Sequence, residues 1–321
     1  GNTAIGHRAL DASVSGIDNV ATGFFSQFLN VSGSLNTAIG TYSARNNATG
    51  SGNTSLGYYA NGLNAAGSNN VAIGREALYN SSASNNVGVG YQALYNASGS
   101  TNTAMGSSSS VSVTTGTGNT SLGYNSGLAI TTGTSNTCIG AYNYPTSSAA
   151  ITNYTGIGYN VGSGASGSNM VEIGNTGVTT IRGQVGFTTY SDSRIKDNIV
   201  ENVPGLNFIT KLKPVTYNLN IHRQNQLMYG KEKPDTTNWE GKYDIEKIKM
   251  TGFLAQDVSV AAESIGYDFS GVKKPKNDKD LYSLTYSDFV VPLVKAVQEQ
   301  QQIIDKQQKT IDELLKRVTK L

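Results

Sequence analysis

Charge is scarce in this sequence as far as Tyr190, and cysteine is scarce throughout. Only eight charged side chains occur up to Tyr190 and none of them is Lys, whereas thirty-eight occur from Ser191 onward. A single cysteine, Cys138, excludes an internal disulfide and the paired cysteines of a zinc site. A formal net charge of +2 provides no basic face for nucleic acid. We therefore expect two regions of different character, with no cofactor, no metal site and no nucleic-acid partner.

Long apolar runs are also missing. No run reaches the roughly 18 residues that a membrane-spanning helix requires, and no charged-then-apolar signal segment is present. We therefore expect no membrane insertion. The chain begins at Gly1 without Met, so we expect it to be a fragment.

What the first region has in abundance is a short repeat that begins with Asn and ends with Gly. It starts at Asn2-Thr-Ala-Ile-Gly6 and returns ten times, always 16 or 17 positions after the previous Asn. The Asn positions are Asn2, Asn19, Asn36, Asn53, Asn70, Asn86, Asn102, Asn119, Asn136, Asn153 and Asn169. Such a period fits one coil of a parallel β-solenoid or β-roll. Eleven coils at roughly 4.8 Å each predict a rod on the order of 50 Å long.

Within each repeat the third and fifth positions are mostly small, and the fourth is mostly Ile, Leu, Val or Met. This alternation places large apolar groups on one face of a short strand and small groups on the other. We expect neighbouring coils to stack on each other and other chains to pack on the small-residue face. The closing Gly fits a corner with positive φ or a close approach of coils, and the stacked Asn residues predict a side-chain ladder.

The Asn-x-Ala-Ile-Gly unit resembles the head repeat of trimeric autotransporter adhesins, although the usual repeat in that family is shorter than the one in this chain. The resemblance implies a left-handed parallel β-roll assembled as a homotrimer.

Aromatic residues recur at one edge of the predicted rod. Four of them, Tyr58, Tyr91, Tyr124 and Tyr159, directly follow the Gly of a repeat, and Tyr42 and Tyr142 lie one residue later. Exposed aromatic rows can stack on sugars, and they can equally cap the apolar corner between coils. Acidic residues are scattered over different coils, so a glycosidase, which requires two positioned carboxylates, is not expected in the rod.

Three motifs occur in the C-terminal region. They are Ser191-Asp-Ser-Arg-Ile-Lys196-Asp-Asn-Ile199, Thr251-Gly-Phe-Leu-Ala-Gln256-Asp-Val258, and a segment from Tyr286 to Gln300. Together they resemble the intramolecular chaperone domain of endosialidases and other phage tail fibres, over residues 188–321. The resemblance implies a trimerising chaperone that cuts itself off once the preceding fibre has folded.

The same resemblance implies Ser191 as the nucleophile, Lys196 as the general base, and a scissile bond between Tyr190 and Ser191. A Lys base requires a pKa depressed from roughly 10.4 by burial or by a neighbouring cation such as Arg194. Since five residues are an awkward spacing on one helix, we expect Ser191 on an extended segment and Lys196 inside a helix. Alternatively, Ser191, Asp192 and Ser193 simply cap that helix and the chain stays uncut.

Near the C-terminus apolar residues recur every seven positions. Val297, Ile304, Ile311 and Val318 alternate with Gln301, Gln308 and Leu315, which predicts a coiled-coil seam. The two Gln positions fit the setting of register in a parallel oligomer. Two polar stretches, 231–240 and 272–280, are predicted to be solvated surface loops.

These features predict a mainly β N-terminal parallel β-solenoid, with one coil for every 16 or 17 positions, over residues 1–186, followed by an α+β chaperone domain over 187–321. Within the chaperone domain, residues 287–321 are predicted to form a long coiled-coil helix at the C-terminal end. The expected function is a homotrimeric fibre or adhesin for host or surface attachment, on a virion tail fibre or a cell surface, with a cell-surface glycan or protein receptor. Its only expected enzyme activity is one self-cleavage by a Ser–Lys dyad. The alternatives are a fibre shaft with an uncleaved trimer clamp, and part of a polysaccharide-degrading tail spike whose catalytic region lies elsewhere.

Overall fold

The fold was analysed in a computed structural model of the chain, which describes residues 1–145, 150–162, 167–229, 241–275, 277 and 280–319. The chain divides into two compact units, Gly1–Val178 and Thr179–Leu321. The predicted loop 231–240 lies outside the described residues, as do residues 276, 278 and 279 of the second predicted loop.

In the first unit, the eleven repeats form eleven short strands that join one parallel sheet in chain order. Neighbouring strands pair at equivalent positions of the repeat, so that Ala38 lies beside Ser55 and Ser55 beside Ala72. The predicted parallel β-solenoid is therefore confirmed. The strands are β1 Thr3–Ile5, β2 Val20–Thr22, β3 Thr37–Ile39, β4 Thr54–Leu56, β5 Val71–Ile73, β6 Val87–Val89, β7 Thr103–Met105, β8 Thr120–Leu122, β9 Thr137–Ile139, β10 Tyr154–Ile157 and β11 Met170–Ile173.

The small side chains of the strands point into the coil of their own chain. Ala72, Ala104 and Cys138 are fully buried there, beside Leu78 and Leu94 from the opposite side of the coil. Burial raises the pKa of the Cys138 thiol to about 12, which keeps it a protonated packing group.

The expectation that other chains pack on the small-residue face is therefore wrong. A coil this short is narrow, and in the first nine coils the third position holds only Ala, Ser, Gly or Cys, whose side chains are small enough for its interior. The large residues at the fourth position face outward instead: Ile39, Leu56 and Leu122 are 41%, 45% and 46% exposed. The face left for a partner carries large apolar groups.

The motif Asn residues form the expected ladder, mainly through backbone groups. From Asn19 to Asn136, each motif Asn donates its backbone N–H to the side-chain oxygen of the preceding one, at 2.8–3.0 Å. Most of them also donate a side-chain N–H to a carbonyl in the next coil, as Asn53 does to Gly67 at 2.9 Å. Apart from the side-chain nitrogen of Asn86, the buried amides of the motif Asn residues from Asn19 to Asn136 are thereby satisfied, as buried polar groups generally are.

Replacing Asn102 by Ala is expected to lower the free energy of unfolding by about 3–5 kcal/mol. The substitution leaves the buried N–H of Asn119 and the carbonyl of Gly116 without partners, and each orphaned group costs about 1–3 kcal/mol. The exposed Asn80, whose amide contacts Asn96 at 3.3 Å, provides the control, and Asn80→Ala should cost about 0.5 kcal/mol or less. Denaturant melts of both variants test the difference, and equal costs would contradict a structural ladder.

The closing Gly of each repeat turns the corner of the coil. Gly57 has a φ of +135°, and a Cβ placed on it would lie 2.7 Å from the carbonyl oxygen of Gly74 in the next coil. Both expectations for this Gly, a positive φ and a close approach of coils, are met.

A partly buried carboxylic acid lies in the last coil. The hydroxyl of Tyr154 donates a hydrogen bond of 2.8 Å to Glu172. Burial raises the pKa of Glu172, and this hydrogen bond opposes the shift only in part. The pKa of Tyr154 is also raised, first by burial and then by Glu172.

Glu172→Gln is expected to raise the thermal midpoint at pH 7 and to leave it nearly unchanged at pH 4. A raised pKa in the folded state means that the contribution of Glu172 to stability is present below its ordinary pKa and is lost as pH rises through the folded value. Thermal melts at the two pH values measure the effect. Asp11→Asn, at a carboxylate 44% exposed, is the control, and the same pH dependence in both variants would contradict the assignment.

Among its described residues, the second unit combines four α-helices with two small antiparallel sheets. A hydrophobic core of Phe208, Val258, Ala262, Phe269 and Phe289 holds it together. The helices are α1 Leu206–Ile209, α2 Ile221–Tyr229, α3 Ala255–Glu263 and α4 Val290–Val318, and the strand pairs are β12 Val215–Tyr217 with β13 Met250–Gly252 and β14 Val272–Lys273 with β15 Ser283–Leu284. The prediction that all of 272–280 is loop is wrong at its start, because Val272 and Lys273 pair with Ser283 and Leu284.

Helix α4 confirms the predicted long C-terminal helix. It follows a 3₁₀ turn at Tyr286–Phe289 and runs for 29 residues. Its first turns bury Pro292 and Ala296, and Glu299 accepts the backbone N–H of Leu206 at 2.8 Å. Beyond residue 299 almost all of the helix is exposed in the single chain.

Candidate functional site

The candidate self-processing site lies on a single turn of chain in the second unit. Asp192 caps a 3₁₀ turn at Ser193–Ile195 by accepting the backbone N–H of Arg194 at 2.8 Å. The turn brings the residues on either side of it together, and the Nζ of Lys196 lies 2.7 Å from the Oγ of Ser191. A nucleophile and a base within hydrogen-bond reach are the first geometric requirement of a Ser–Lys dyad.

The expectation that Lys196 lies inside a helix is wrong. Lys196 follows the turn with an extended backbone, at φ −118° and ψ 122°. A 3₁₀ helix completes a turn in three residues, so one turn is enough to reverse the chain between positions 191 and 196. The spacing of five that is awkward on an α-helix is thereby accommodated.

Arg194 was predicted from the sequence as the cation beside Lys196. In the structure it forms an ion pair with Asp192. Its guanidinium lies 2.6 Å from the Asp192 carboxylate, and both side chains are substantially exposed. Hydrogen bonds from Arg194 lower the pKa of Asp192, and the carboxylate raises the pKa of Arg194. The charge of Arg194 is therefore balanced within the turn.

The segment around the dyad is exposed in the single chain. Every residue from 178 to 202 is exposed, and Phe187 and Tyr190 are 97% and 93% exposed. The dyad and the bond before Ser191 therefore stand in water in an isolated chain. Exposed apolar side chains of this size are common on surfaces that contact a partner.

Two further apolar surfaces have no partner in the single chain. We call the row of strand residues in register with Ile39 the apolar stripe. Its exposed members are Ile5, Ile39, Leu56, Met105, Leu122, Ile139, Ile157 and Ile173, which are 38–60% exposed. We call the seven-residue repeat on α4 the helix seam; its apolar members Val297, Ile304, Ile311, Leu315 and Val318 are 48–67% exposed. Gln301 and Gln308 of the seam bond Asp305 and Asp312 on the same helix, at 2.8 and 2.9 Å.

The tyrosines that directly follow a motif Gly are half-exposed along the solenoid. Tyr58, Tyr91, Tyr124 and Tyr159 are 44%, 43%, 47% and 40% exposed. Three polar residues lie among them and were not predicted from the sequence: Arg75, Glu76 and Gln92. The available signal was their position, since each occupies a place just after a motif Gly where other coils carry aromatic residues.

No metal-binding cluster of three His, Cys, Asp or Glu residues occurs among the residues that the structure describes. Within the same residues, no helix is both long enough and apolar enough to cross a membrane.

In the comparison with protein families, residues 191–267 match the family described as chaperone of endosialidase. The match begins at Ser191 and includes the turn with Lys196 and helices α1 to α3, whereas helix α4 and the third motif lie beyond it. Comparisons with curated proteins and with solved structures returned no match. The chain thus joins a parallel β-solenoid to a C-terminal segment that matches the endosialidase-chaperone family, an arrangement that fits a tail-fibre-like protein.

Proposed function

We propose that this chain is part of a homotrimeric fibre or adhesin whose C-terminal region, residues 187–321, guides assembly of the β-solenoid and then cuts the chain between Tyr190 and Ser191. The family match supports the chaperone role. The observation that carries the self-cleavage is the 2.7 Å contact between Lys196 and Ser191, at the first residue of the matched segment.

The proposed cleavage proceeds in two steps. The Oγ of Ser191 attacks the carbonyl carbon of Tyr190, and the neutral amine of Lys196 takes the hydroxyl proton. The bond from Tyr190 to the nitrogen of Ser191 breaks, Lys196 returns the proton to that nitrogen, and the acyl group is left as an ester on the Oγ. Water then hydrolyses the ester, which gives a carboxylate at Tyr190 and a free amine at Ser191. Each chain cuts itself once.

Assembly would supply what the isolated chain lacks. The dyad and its flanking aromatic residues are exposed, and burial by neighbouring chains would remove the water that surrounds Lys196. It would also restrain the backbone at Tyr190, which an attack by the adjacent residue requires. Cleavage would then follow folding, because the site is complete only in the oligomer.

The helix seam and the apolar stripe are the proposed contacts between copies. The seam carries the alternating four- and three-residue spacing of a coiled coil. The stripe has no charged residue in any coil, and the cores of protein interfaces are depleted of charge. A partner that matches its step of one residue every 16 to 18 positions along eleven coils is a second copy of the same solenoid in register.

We further propose attachment to a host or another surface as the role of the mature rod, residues 1–186 with the segment up to Tyr190, on a virion tail fibre or a cell surface. The virion is favoured because the matched chaperone family is one of tail-fibre proteins.

The second candidate is a fibre shaft with a permanent, uncut trimer clamp. This candidate is supported by Asp192, which caps the turn that begins at Ser193. The cap gives the Ser-Asp-Ser segment a purely structural role. Sedimentation equilibrium and intact mass of the freshly expressed chain separate the two. Three copies with fragments that end at Tyr190 and begin at Ser191 support cleavage; three uncut copies support the clamp; a monomer contradicts both.

A further inference from the structure

One side of the solenoid carries a row of aromatic rings that is interrupted at Arg75 and at Ser107. In the first coils the ring centroids of His7 and Phe24 are 5.3 Å apart, those of Phe24 and Tyr42 are 5.6 Å apart, and those of Tyr42 and Tyr58 are 6.2 Å apart. We call this row the aromatic edge; it comprises His7, Phe24, Tyr42, Tyr58, Tyr91, Tyr124, Tyr142 and Tyr159.

In the middle of the aromatic edge, one arginine replaces a ring. The guanidinium carbon of Arg75 lies 5.8 Å from the ring centre of Tyr58 and 5.6 Å from that of Tyr91. Its Nε contacts Glu76 at 3.2 Å, and Gln92 donates a hydrogen bond of 2.8 Å to the other oxygen of Glu76. Two half-exposed tyrosines thus flank a connected group of planar polar side chains.

Charge is concentrated on this side of the solenoid. Up to Tyr190 the chain contains four arginines, and three of them lie over aromatic rings here: Arg8 over Phe28 at 4.6 Å, Arg45 over Tyr42 at 5.5 Å, and Arg75 as described. The apolar stripe, by contrast, has no charged residue. The aromatic side carries arginine, carboxylate and amide groups between its rings. Burying these groups between protein chains would be costly, so this side is less suited to a dry protein interface than the apolar stripe is.

We propose that the middle of the aromatic edge, formed by Tyr58, Arg75, Glu76, Tyr91 and Gln92, binds a carbohydrate chain. A sugar ring presents C–H groups on its faces and hydroxyls around its rim. The C–H faces stack on tyrosine, and adjacent hydroxyls accept from Arg75 and Gln92 while donating to Glu76. Because Tyr58, Arg75 and Tyr91 lie on three successive coils, roughly 4.8 Å apart, neighbouring units of a polymer meet neighbouring side chains.

The site binds carbohydrate without cutting it. Glycoside hydrolysis requires two carboxyl groups on either side of the bond, and Glu76 is the only one in this group. The other carboxylates of the described solenoid, Asp11, Asp18 and Glu172, lie on other coils.

This inference rests on the proposed attachment function and identifies its ligand class. The test applies the assembled, fluorescently labelled protein to an array of immobilised neutral and acidic bacterial polysaccharides and oligosaccharides. Binding is then titrated with the best ligand for the parent, Tyr91→Ala and Arg75→Ala. Tyr159→Ala removes an equally exposed ring four coils away and is the matched control. Each of the first two changes should weaken binding at least tenfold, and the control less than threefold.

Two results overturn the inference: no binding to any carbohydrate on the array, and an equal loss in the Tyr159→Ala control. Sedimentation of the same samples keeps the proposals separate. A trimer that binds no carbohydrate contradicts the aromatic edge alone, whereas a monomer contradicts the proposed assembly.

Discussion

Ser191→Ala is expected to abolish cleavage, so that denaturing mass spectrometry finds a single chain of full length. The substitution removes the oxygen that would attack Tyr190 and leaves the turn intact, because the cap comes from Asp192 and not from Ser191. Ser191 is exposed and its hydroxyl contacts Lys196 at the surface, so the loss of stability should be about 0.5 kcal/mol or less. An uncut chain that still assembles as a trimer would assign the chemistry to this hydroxyl.

Two further variants test the dyad. Lys196→Ala removes the base and should slow cleavage about 10²- to 10⁴-fold, the usual contribution of general base catalysis. Ser193→Ala removes a hydroxyl two residues away, within the same turn, and should cleave at the parent rate. Fragments from Ser191→Ala, or a slow Ser193→Ala beside a normal Lys196→Ala, would contradict the assignment.

The solenoid could be predicted from sequence because the repeat itself fixes the period and the strands. One Asn-to-Gly unit specifies a strand and a corner, and the near-constant spacing of the motif Asn residues specifies the stacking. The alternation of Ala38 and Ile39 also predicts two different faces, but it leaves open which face is inside. That choice follows from the width of the coil, which has room for Ala38 and none for Ile39.

The dyad was proposed from a resemblance, and its geometry was predicted only in part. Asp192 as a cap is a local signal and is confirmed, whereas the predicted helix after it was wrong, since nothing local shows that the turn ends at Ile195. The group at Arg75, Glu76 and Gln92 was missed because Glu76 and Gln92 belong to successive coils and are distant in sequence. Their contact appears only when the register of two coils is known.

Placing acidic residues in the helix seam is expected to separate the copies. The double variant Ile304→Asp, Ile311→Asp should sediment as a monomer at micromolar concentration, where we propose that the parent is a trimer. Both side chains are about half-exposed in the single chain, at 48% and 49%, so the substitutions cost an isolated chain little. In a parallel trimer each position would bring three carboxylates together in an apolar core, which costs several kcal/mol per layer.

The control for this variant is Gln302→Asp, Thr310→Asp, which adds the same charge to the same helix away from the seam. It should remain trimeric and be cut at the parent rate. If assembly completes the cleavage site, the seam variant should also stay largely uncut although Ser191 and Lys196 are unchanged. A monomeric seam variant that still cuts itself would show that one chain suffices, and would contradict the gating of cleavage by assembly. A seam variant that remains trimeric would instead assign assembly to the apolar stripe, whose charge-free row continues along the solenoid.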